Sequence, residues 1–308
     1  MKLSIDQASL CHMYGVEDGL KLIKSVGFEN VDWDFCEFNV KAPIIPEDYR
    51  TRFAEIRALL REIGLGCDET HSPYPASYAP TLFHYGDEMT MSNPRFAAYA
   101  KAFEASAILG ATKTVLHPLA VPQGGGTKEY MDYNYTFYKT LEPYAKEFGI
   151  RIGVENLEKI SGNLYKVEWQ EEMLDRLDSE QFYALVDLGH AASSDTTPDA
   201  HLRGLTRGRV QGLHFHDFNT QEPHIVPGFG VSDWDAVART LAELGYEGDI
   251  AFEVGGTYRR FPRSLIPAAL RFAVESGRVF VRKFERERAK LENRQDGSES
   301  RAAEQEAT

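Results

Sequence analysis

A cluster of ligand-type side chains lies in residues 211–230, QGLHFHDFNTQEPHIVPGFG, behind one short apolar run and ahead of a glycine-rich turn. The apolar residues 210–213 predict a short buried strand. The side chains that could bind a cation follow at the strand end or on the next loop, and they are His214, His216, Asp217, Glu222 and His224. Carboxylate and imidazole groups so close together can converge on a divalent ion. We therefore interpret the stretch as a metal site, in preference to a polar surface loop that contains histidines by chance.

Length and composition limit the class of protein. With 308 residues, 43% of them hydrophobic, the chain can form one large α/β barrel or two ordinary domains. The net charge of −13 argues against a broad nucleic-acid-binding surface. Cys11, Cys36 and Cys67 form no CxxC pair, which is typical of a reducing compartment rather than a disulfide framework. The first residues lack the pattern of a signal peptide and no run approaches the roughly 20 apolar residues of a membrane span, so we expect a soluble cytoplasmic protein.

Short apolar runs alternate with amphipathic stretches along the chain, a pattern typical of repeated βα units with a parallel sheet. The predicted strands are residues 2–6, 30–34, 65–69, 113–116, 151–154, 183–186, 210–213 and 248–252. The predicted helices include residues 16–26, 47–63, 94–109, 131–148 and 264–284. Several helices end at a glycine that can adopt the left-handed C-cap conformation, and this regularity favours one barrel over two domains. We therefore predict a single (β/α)8 TIM barrel over residues 1–284, closed by a C-terminal helix.

Residues 285–308 are charged and almost without apolar side chains. A segment of this kind cannot offset the entropy of ordering by burying surface. We expect a frayed helix that passes into a disordered, charged tail with no part in the chemistry.

In a parallel barrel, all strand C-termini point to one face, so the residues that end different strands meet there. Glu155, Asp187, His214 and Glu253 end predicted strands five to eight and supply three carboxylates and one imidazole. This donor set suits Mn²⁺ first, with Mg²⁺, Co²⁺ and Zn²⁺ as alternatives. Strand ends are often polar because they reach water, but that explains a single acid better than acids and histidines at successive ends.

Further side chains could add to this site as ligands for a metal or a substrate, and they are His71, His117, His190, His216, Glu222 and His224. His216 competes with His214, because both lie on the same side of the strand if the strand continues. We favour His214 as the metal ligand, since it is nearer to the predicted strand end.

The segments VENLE, LVDLGHA, LHFHD with VPGFGVSDW, and AFEV, taken as an ordered set, resemble the xylose-isomerase-like TIM barrel superfamily over nearly the whole chain, to about residue 280. This superfamily includes sugar and sugar-phosphate isomerases and epimerases and the endonuclease IV family of abasic-site DNA repair enzymes. The resemblance to the epimerase branch implies that one divalent metal is bound by Glu155, Asp187, His214 and Glu253. It also implies that Glu155 and Glu253 act as a paired acid and base, and that His190 contacts the substrate.

The resemblance to the repair branch implies a site with three zinc ions. Its additional ligands would be His71 in HSPY, His117 before a proline, His190, and an Asp-x-His pair that falls on Glu222 and His224. Glutamate at position 222 departs from that pattern. Residues 70–90 and 215–234 contain no lysine or arginine. Because neutralisation of phosphates by cations dominates DNA affinity, their absence counts against a nuclease.

We therefore expect a divalent-metal-dependent isomerase or epimerase of a sugar or sugar derivative, which removes a proton next to a metal-chelated carbonyl. The alternatives are a multi-zinc phosphodiesterase acting on abasic DNA and the catalytic barrel subunit of a C-glycoside-cleaving complex. A homo-oligomer is expected from the branch that the chain resembles, with a hetero-complex left open. The sequence also leaves open which carbohydrate is the substrate, whether it is phosphorylated, and how many metal ions are bound.

Overall fold

The computed structural model describes residues 1–35, 45–74, 82–220 and 223–306, and it describes side chains as far as residue 293. Its strands are β1 (Leu3–Asp6), β2 (Asn30–Asp34), β3 (Gly66–His71), β4 (Lys113–Leu116), β5 (Arg151–Glu155), β6 (Phe182–Asp187), β7 (Val210–Phe215) and β8 (Ile250–Phe252). They close into a barrel in chain order. Every neighbouring pair is parallel, including β8 with β1. The predicted α/β barrel is confirmed.

The described helices are α1 (Ala8–Tyr14), α2 (Val16–Val26), α3 (Tyr49–Ile63), α4 (Pro94–Leu109), α5 (Lys128–Glu147), α6 (Val167–Leu177), α7 (Leu188–Ala192), α8 (Pro198–Arg203), α9 (Trp234–Leu244), α10 (Gly255–Tyr258) and α11 (Ile266–Glu306), with a 3₁₀-helix at Lys159–Ser161. Helices α2 and α4 have the predicted bounds. Helix α5 begins at Lys128, before its predicted start at residue 131, because the Thr127 side chain accepts a hydrogen bond from the Tyr130 N–H. Such a cap satisfies a donor that the first turn leaves free.

Four strands run further toward the C-terminal face than the apolar pattern predicts. Strands β3, β5, β6 and β7 continue to His71, Glu155, Asp187 and Phe215. The ladder extends because polar residues pair there through their backbones, with Asp187 opposite His214 and Asp34 opposite His71. Several ligand-type residues therefore belong to the strands themselves, and the barrel hydrogen bonds fix their positions.

The inside of the barrel is partly polar. Val115, Tyr183 and Leu185 form a small apolar cluster separate from the main core. Asp32 and Glu69 are buried, with 1% and 7% of their surface exposed. A barrel of this type is usually filled by bulky branched side chains, so two buried acids in its centre require an explanation.

The C-terminal helix α11 continues beyond residue 284, and its backbone is helical to Glu306, where we expected a frayed helix followed by disorder. Ion pairs one turn apart, such as Lys290 with Glu287, can support a polar helix. Apolar packing on the barrel extends to Phe284 and Leu291. The domain boundary at residue 284 stays a prediction. Among the described helices, none combines the length and the apolar character that crossing a membrane requires.

Candidate metal centre

Four side chains at the ends of β5 to β8 converge, and we call them the inner cluster: Glu155, Asp187, His214 and Glu253. His214 Nδ1 lies 3.0 Å from Glu155 Oε1 and 3.3 Å from Glu253 Oε1. The same nitrogen lies 3.7 Å from Asp187 Oδ2. Glu155, Asp187 and His214 are at most 1% exposed. The structure thus brings together the residues that strand-end positions selected, around one imidazole nitrogen.

A second group shares Glu155 with the inner cluster, and we call it the side cluster: His71, His117 and Glu155. His117 Nε2 lies 2.7 Å from Glu155 Oε2 and 3.1 Å from His71 Nε2. Glu155 Oε2 is buried and makes no hydrogen bond to the described residues. The two imidazole nitrogens and the carboxylate oxygen lie close enough together to bind one cation.

A third group lies beyond the strand ends, and we call it the outer cluster: His190, His216 and His224. The rings of His216 and His224 stack with centroids 4.1 Å apart, and the His190 ring is 5.7 Å from each. His216 Nε2 lies 2.9 Å from Asp187 Oδ2, which links this cluster to the inner one. Asp187, His216 and Glu253 form a further group of possible ligands, so the choice of His214 over His216 as the metal ligand stays a prediction. Glu222 lies outside the described residues.

Local hydrogen bonds place His190. The Asp187 side chain caps α7 by accepting a hydrogen bond of 2.7 Å from the His190 N–H. Asn156 joins the ends of β5 and β6, because its Oδ1 accepts from Asp187 N–H and its Nδ2 donates to Asp187 O. The His190 Nδ1–H donates to Asn156 O at 3.0 Å. The short helix therefore turns His190 back over the inner cluster.

Asp217 organises the loop that carries His224. Its carboxylate accepts hydrogen bonds from the backbone N–H groups of Phe218, Gly228, Gly230 and Ser232, from the Ser232 hydroxyl and from Trp234 Nε1–H. The backbone of Asp217 also pairs with that of Ile225. His224 has a φ of +55°, which costs energy for a residue other than glycine and needs support from its surroundings. The sequence contained a signal for this role, a buried acid followed by the glycine-rich turn, but we did not interpret it in that way.

The carboxylates of the inner cluster are held ionised. The pKa values of Glu155 and Asp187 lie well below their ordinary values, and that of Glu253 is also lowered. Burial alone would raise all three pKa values. The neighbouring imidazoles outweigh it, chiefly His117 beside Glu155 and His190 beside Asp187.

The imidazoles of His214 and His224 differ in charge. Burial lowers the pKa of His214, but Glu253 and Glu155 outweigh it and raise this pKa well above its ordinary value. Burial, and then the charge of His216, lowers the pKa of His224 to about 4. Without a metal ion, the positive charge that the inner carboxylates require is therefore supplied by a proton on His214.

The donor set of the inner cluster fits a divalent metal ion. Glu155, Asp187 and His214 offer ligand atoms within 4.8 Å of one another, and Glu253 Oε1 lies 3.3 Å from the same His214 Nδ1. Oxygen-rich sites of this kind bind hard or borderline divalent ions.

A cavity of about 430 Å³ opens beside the clusters, and its lining includes Tyr74, His224, Glu253, Arg259 and Arg260. This volume suits a small molecule. A larger cavity of about 1000 Å³ is lined by residues such as Arg151 and Gln211, at the starts of their strands, and contains no member of the clusters. The smaller cavity is the one that matters here, because ligands of barrel proteins bind at the C-terminal face.

Fold and site together define a (β/α)8 barrel that presents converging acids and histidines at the C-terminal ends of its strands. The sequence profile of the xylose isomerase-like TIM barrel family matches residues 20–275. The chain belongs to this family, and the resemblance inferred from the short motifs is confirmed.

Comparison with other proteins agrees with this assignment. An uncharacterized protein of Methanocaldococcus jannaschii, MJ1311, is 28% identical over 158 residues, a match that spans 49% of this chain and 54% of that relative. A D-tagatose 3-epimerase-like protein has a similar fold, with a TM-score of 0.70, 20% identity, and coverage of 94% of this chain and 100% of that chain. The IOLI protein with a bound zinc atom has a TM-score of 0.67, 16% identity, and coverage of 93% and 99%. At these identities, the two structures establish the likeness of fold.

Proposed function

We propose that the protein is a divalent-metal-dependent isomerase or epimerase that acts on a sugar or a sugar derivative. The observation that carries the proposal is the approach of both Glu155 and Glu253 to His214 Nδ1, at 3.0 and 3.3 Å. A D-tagatose 3-epimerase-like protein and the zinc-bound IOLI protein share the fold, and their names support carbohydrate chemistry at a metal site.

The inner cluster would hold the metal ion. Its three carboxylates favour Mn²⁺, with Mg²⁺, Co²⁺ and Zn²⁺ as alternatives. When bound, a divalent ion would polarise neighbouring carbonyl and hydroxyl oxygens of the sugar and so weaken the C–H bond between them. The cavity of about 430 Å³ beside Glu253 provides room for such a substrate.

The two glutamates would move the proton. Both have lowered pKa values in the metal-free protein and are therefore ionised and able to accept a proton at neutral pH. One glutamate takes the proton from carbon, and the other, once it has taken up a proton from a substrate hydroxyl group or from solvent, delivers that proton to the opposite face for epimerisation. Isomerisation instead needs the proton to be returned to the neighbouring carbon. Burial of Glu155, which is 1% exposed, excludes water that would otherwise compete for that proton.

His190 would orient a substrate oxygen. Its Nδ1–H is engaged with Asn156 O, so its Nε2 is the nitrogen left to accept a hydrogen bond from a hydroxyl group. With 8% of its surface exposed, His190 lies at the boundary between the buried inner cluster and solvent. Cytoplasmic location and a homo-oligomeric state stay predictions from the sequence.

A phosphodiesterase with several metal ions is the second candidate, and one observation favours it. The side cluster shares Glu155 with the inner cluster, and the outer cluster is joined to it through Asp187. Together they offer three adjoining groups of ligands, as the repair branch requires. Residues 70–90 and 215–234 carry no cation. However, Arg259 and Arg260 line the cavity, so the absence of positive charge does not extend to the loop after β8.

The experiment that tests the proposal combines two assays on metal-replete protein. One incubates the protein with a panel of ketoses in deuterated water and measures deuterium on carbon by NMR. The other incubates it with a duplex that contains an abasic site and measures strand cleavage. We expect deuterium to enter at least one ketose and no cleavage of the duplex.

The variant His117→Ala separates the two candidates. An epimerase keeps its inner-cluster metal in this variant and changes only its substrate affinity, whereas a multi-metal nuclease loses an ion. His12→Ala is the matched control, because His12 is exposed and lies outside the three clusters. Specific cleavage that disappears in His117→Ala, without deuterium in any ketose, overturns the proposal.

A further inference from the structure

His214 differs from the other clustered histidines in how its second ring nitrogen is held. Four histidines donate Nδ1–H to a backbone carbonyl: His71 to Ser72 at 3.1 Å, His190 to Asn156 at 3.0 Å, His216 to Asp217 at 3.3 Å and His224 to Glu253 at 3.2 Å. Each bond leaves Nε2 as the ligand atom, because a carbonyl can only accept. His214 is reversed, with Nδ1 facing the carboxylates. Its Nε2 is buried and has no hydrogen-bond partner among the described residues.

Asp32 lies opposite this nitrogen, across the barrel. Its Oδ2 is 3.6 Å from His214 Nε2. Asp32 is 1% exposed, and its Oδ1 also has no hydrogen-bond partner in the described part of the chain. The backbone of Asp32 is fixed in the ladder between Asp6 and Glu69. A buried carboxyl group with an unpaired oxygen is costly, so its position beside His214 indicates a role there.

Asp32 and Glu69 both offer a carboxylate oxygen within 4.8 Å of a His214 ring nitrogen, but Glu69 has a hydrogen-bond partner of its own. Tyr183 donates its hydroxyl hydrogen to Glu69 Oε2 at 2.9 Å. A Cβ at Gly153 would come within 2.8 Å of the Tyr183 ring, and one at Gly212 would come within 2.9 Å of Glu69 Oε2. The two glycines therefore make room for the Tyr183–Glu69 pair. No role for Asp32 was predicted from the sequence, although an acid in the middle of a buried strand was a possible signal.

We propose that Asp32 is a positioning residue for the metal ligand His214: its carboxylate accepts a hydrogen bond from Nε2–H and so directs the lone pair of Nδ1 toward the inner carboxylates. Closing the gap to a normal hydrogen-bond length needs a movement of about 0.7 Å. A carboxylate that holds the far nitrogen of a metal-bound imidazole fixes its tautomer and raises its basicity. The inference rests on the metal site of the proposed function but not on the reaction.

The test measures Zn²⁺ affinity by competition with a chelator, without an activity assay. We expect Asp32→Ala to weaken Zn²⁺ binding by about 10–100-fold. Asp32→Asn should lie between Asp32→Ala and wild type, because its amide oxygen accepts the same hydrogen bond without the charge. Glu69→Gln is the matched control: it also changes a buried interior carboxylate, but one that is bonded to Tyr183, so Zn²⁺ affinity should stay close to wild type.

A second measurement separates positioning from a general effect on folding. In zinc-loaded wild type, ¹⁵N shifts of the His214 ring should show a single tautomer with the proton on Nε2, coupled to a strongly hydrogen-bonded proton signal. Asp32→Asn, which has nearly the same shape, should shift that proton signal even if Asp32→Ala fails to fold. If Asp32→Asn and any folded Asp32→Ala protein bind Zn²⁺ as tightly as wild type, the inference is wrong. If wild type itself binds no Zn²⁺, the metal site of the proposed function fails instead.

Discussion

The inner and outer clusters lie side by side but are built differently. The inner cluster consists of three carboxylates and one imidazole at the ends of strands, where ladder pairs such as Asp187 with His214 fix the backbone. The outer cluster consists of three imidazoles, carried by α7 and by the loop after β7. Barrel closure therefore predetermines the geometry of the inner cluster, whereas the outer cluster depends on how a loop folds.

His214 in the inner cluster and His224 in the outer cluster also differ in charge. The inner carboxylates keep His214 protonated when no metal is bound, whereas His224 in the outer cluster has a pKa lowered to about 4 and is neutral. A hard divalent ion gains more from three carboxylates than from three imidazoles. This difference supports the proposal that the inner cluster is the primary cation site and that the outer cluster contacts the substrate or holds an additional ion.

The largest effect should come from removing the bases of the inner cluster. We expect Glu155→Gln and Glu253→Gln each to lower turnover by about 10²–10⁴-fold, because the amide cannot accept the proton. The retained oxygen should leave metal content higher than in the double variant Asp187→Asn with His214→Ala. Steady-state rates and metal analysis check both statements. Near wild-type activity in either glutamine variant would contradict the paired-base mechanism.

Single alanine variants compare the clusters directly. His214→Ala should release the central ion, whereas His224→Ala should keep that ion and change mainly KM. The reason is that His214 Nδ1 faces all three inner carboxylates, and His224 approaches only Glu253, with Nδ1 at 3.4 Å from Oε2. Metal analysis after gel filtration and Michaelis–Menten kinetics provide the measurements, with His12→Ala as control. If His224→Ala lost its only bound ion, the outer cluster, and not the inner one, would be the primary cation site.

The dependence of the outer cluster on its loop can be tested at Asp217. In Asp217→Asn, several N–H groups that now point at a carboxylate would face an NH₂ group, and unsatisfied buried donors cost about 1–3 kcal/mol each. We expect Tm to fall on the order of 5–10 °C. Zn²⁺ affinity of the inner cluster should change less than in His214→Ala. Thermal melts followed by circular dichroism decide this, and an unchanged Tm would show that the loop is held by other contacts.

The shifted pKa values of His71 and Asp187 predict how the stability of the metal-free protein depends on pH. Burial lowers the pKa of His71, but Glu155 outweighs burial and raises this pKa from 6.5 to about 9. Protonated His71 therefore stabilises the folded protein fully below about pH 6.5, and this stabilisation is lost as pH rises through about 9. Asp187 has its pKa well below the ordinary 3.8, so its contribution is present above that value and is lost as pH falls. Chelator-treated protein should therefore lose Tm between pH 6.5 and 9. Metal-loaded protein should lose less, because the ion replaces the protons, and equal losses would contradict this account.

The smallest effect should come from the end of the chain, far from either cluster in sequence. Deleting the residues after Asn293 should leave Tm, metal content and activity unchanged, because Leu291 is the last apolar residue packed on the core among the side chains that the structure describes. A second truncation after Arg282 is the matched comparison, since it also removes Phe284, which is 2% exposed, and should lower Tm. A large decrease in Tm with the first truncation would place the domain boundary further along α11.

The sequence by itself determined the barrel and the membership of the inner cluster. Period-two apolar runs fixed the order of the strands, and a closed parallel barrel brings every strand end to one rim, so Glu155, Asp187, His214 and Glu253 had to meet there. Helix ends were less predictable, as at α5 and α11, because a single cap or a series of ion pairs moves them without changing the apolar pattern.

Only the tertiary structure decided which neighbours each ligand has. β7 continues to Phe215, which sends His214 into the inner cluster and His216 into the outer one. Asp32 faces His214 from across the barrel. Asp217 accepts hydrogen bonds from N–H groups of a loop that follows it in sequence. These relations depend on strand register, barrel diameter and loop path. Each of them is a distance between residues far apart in the chain, and the local pattern of residue types contains no information about such distances.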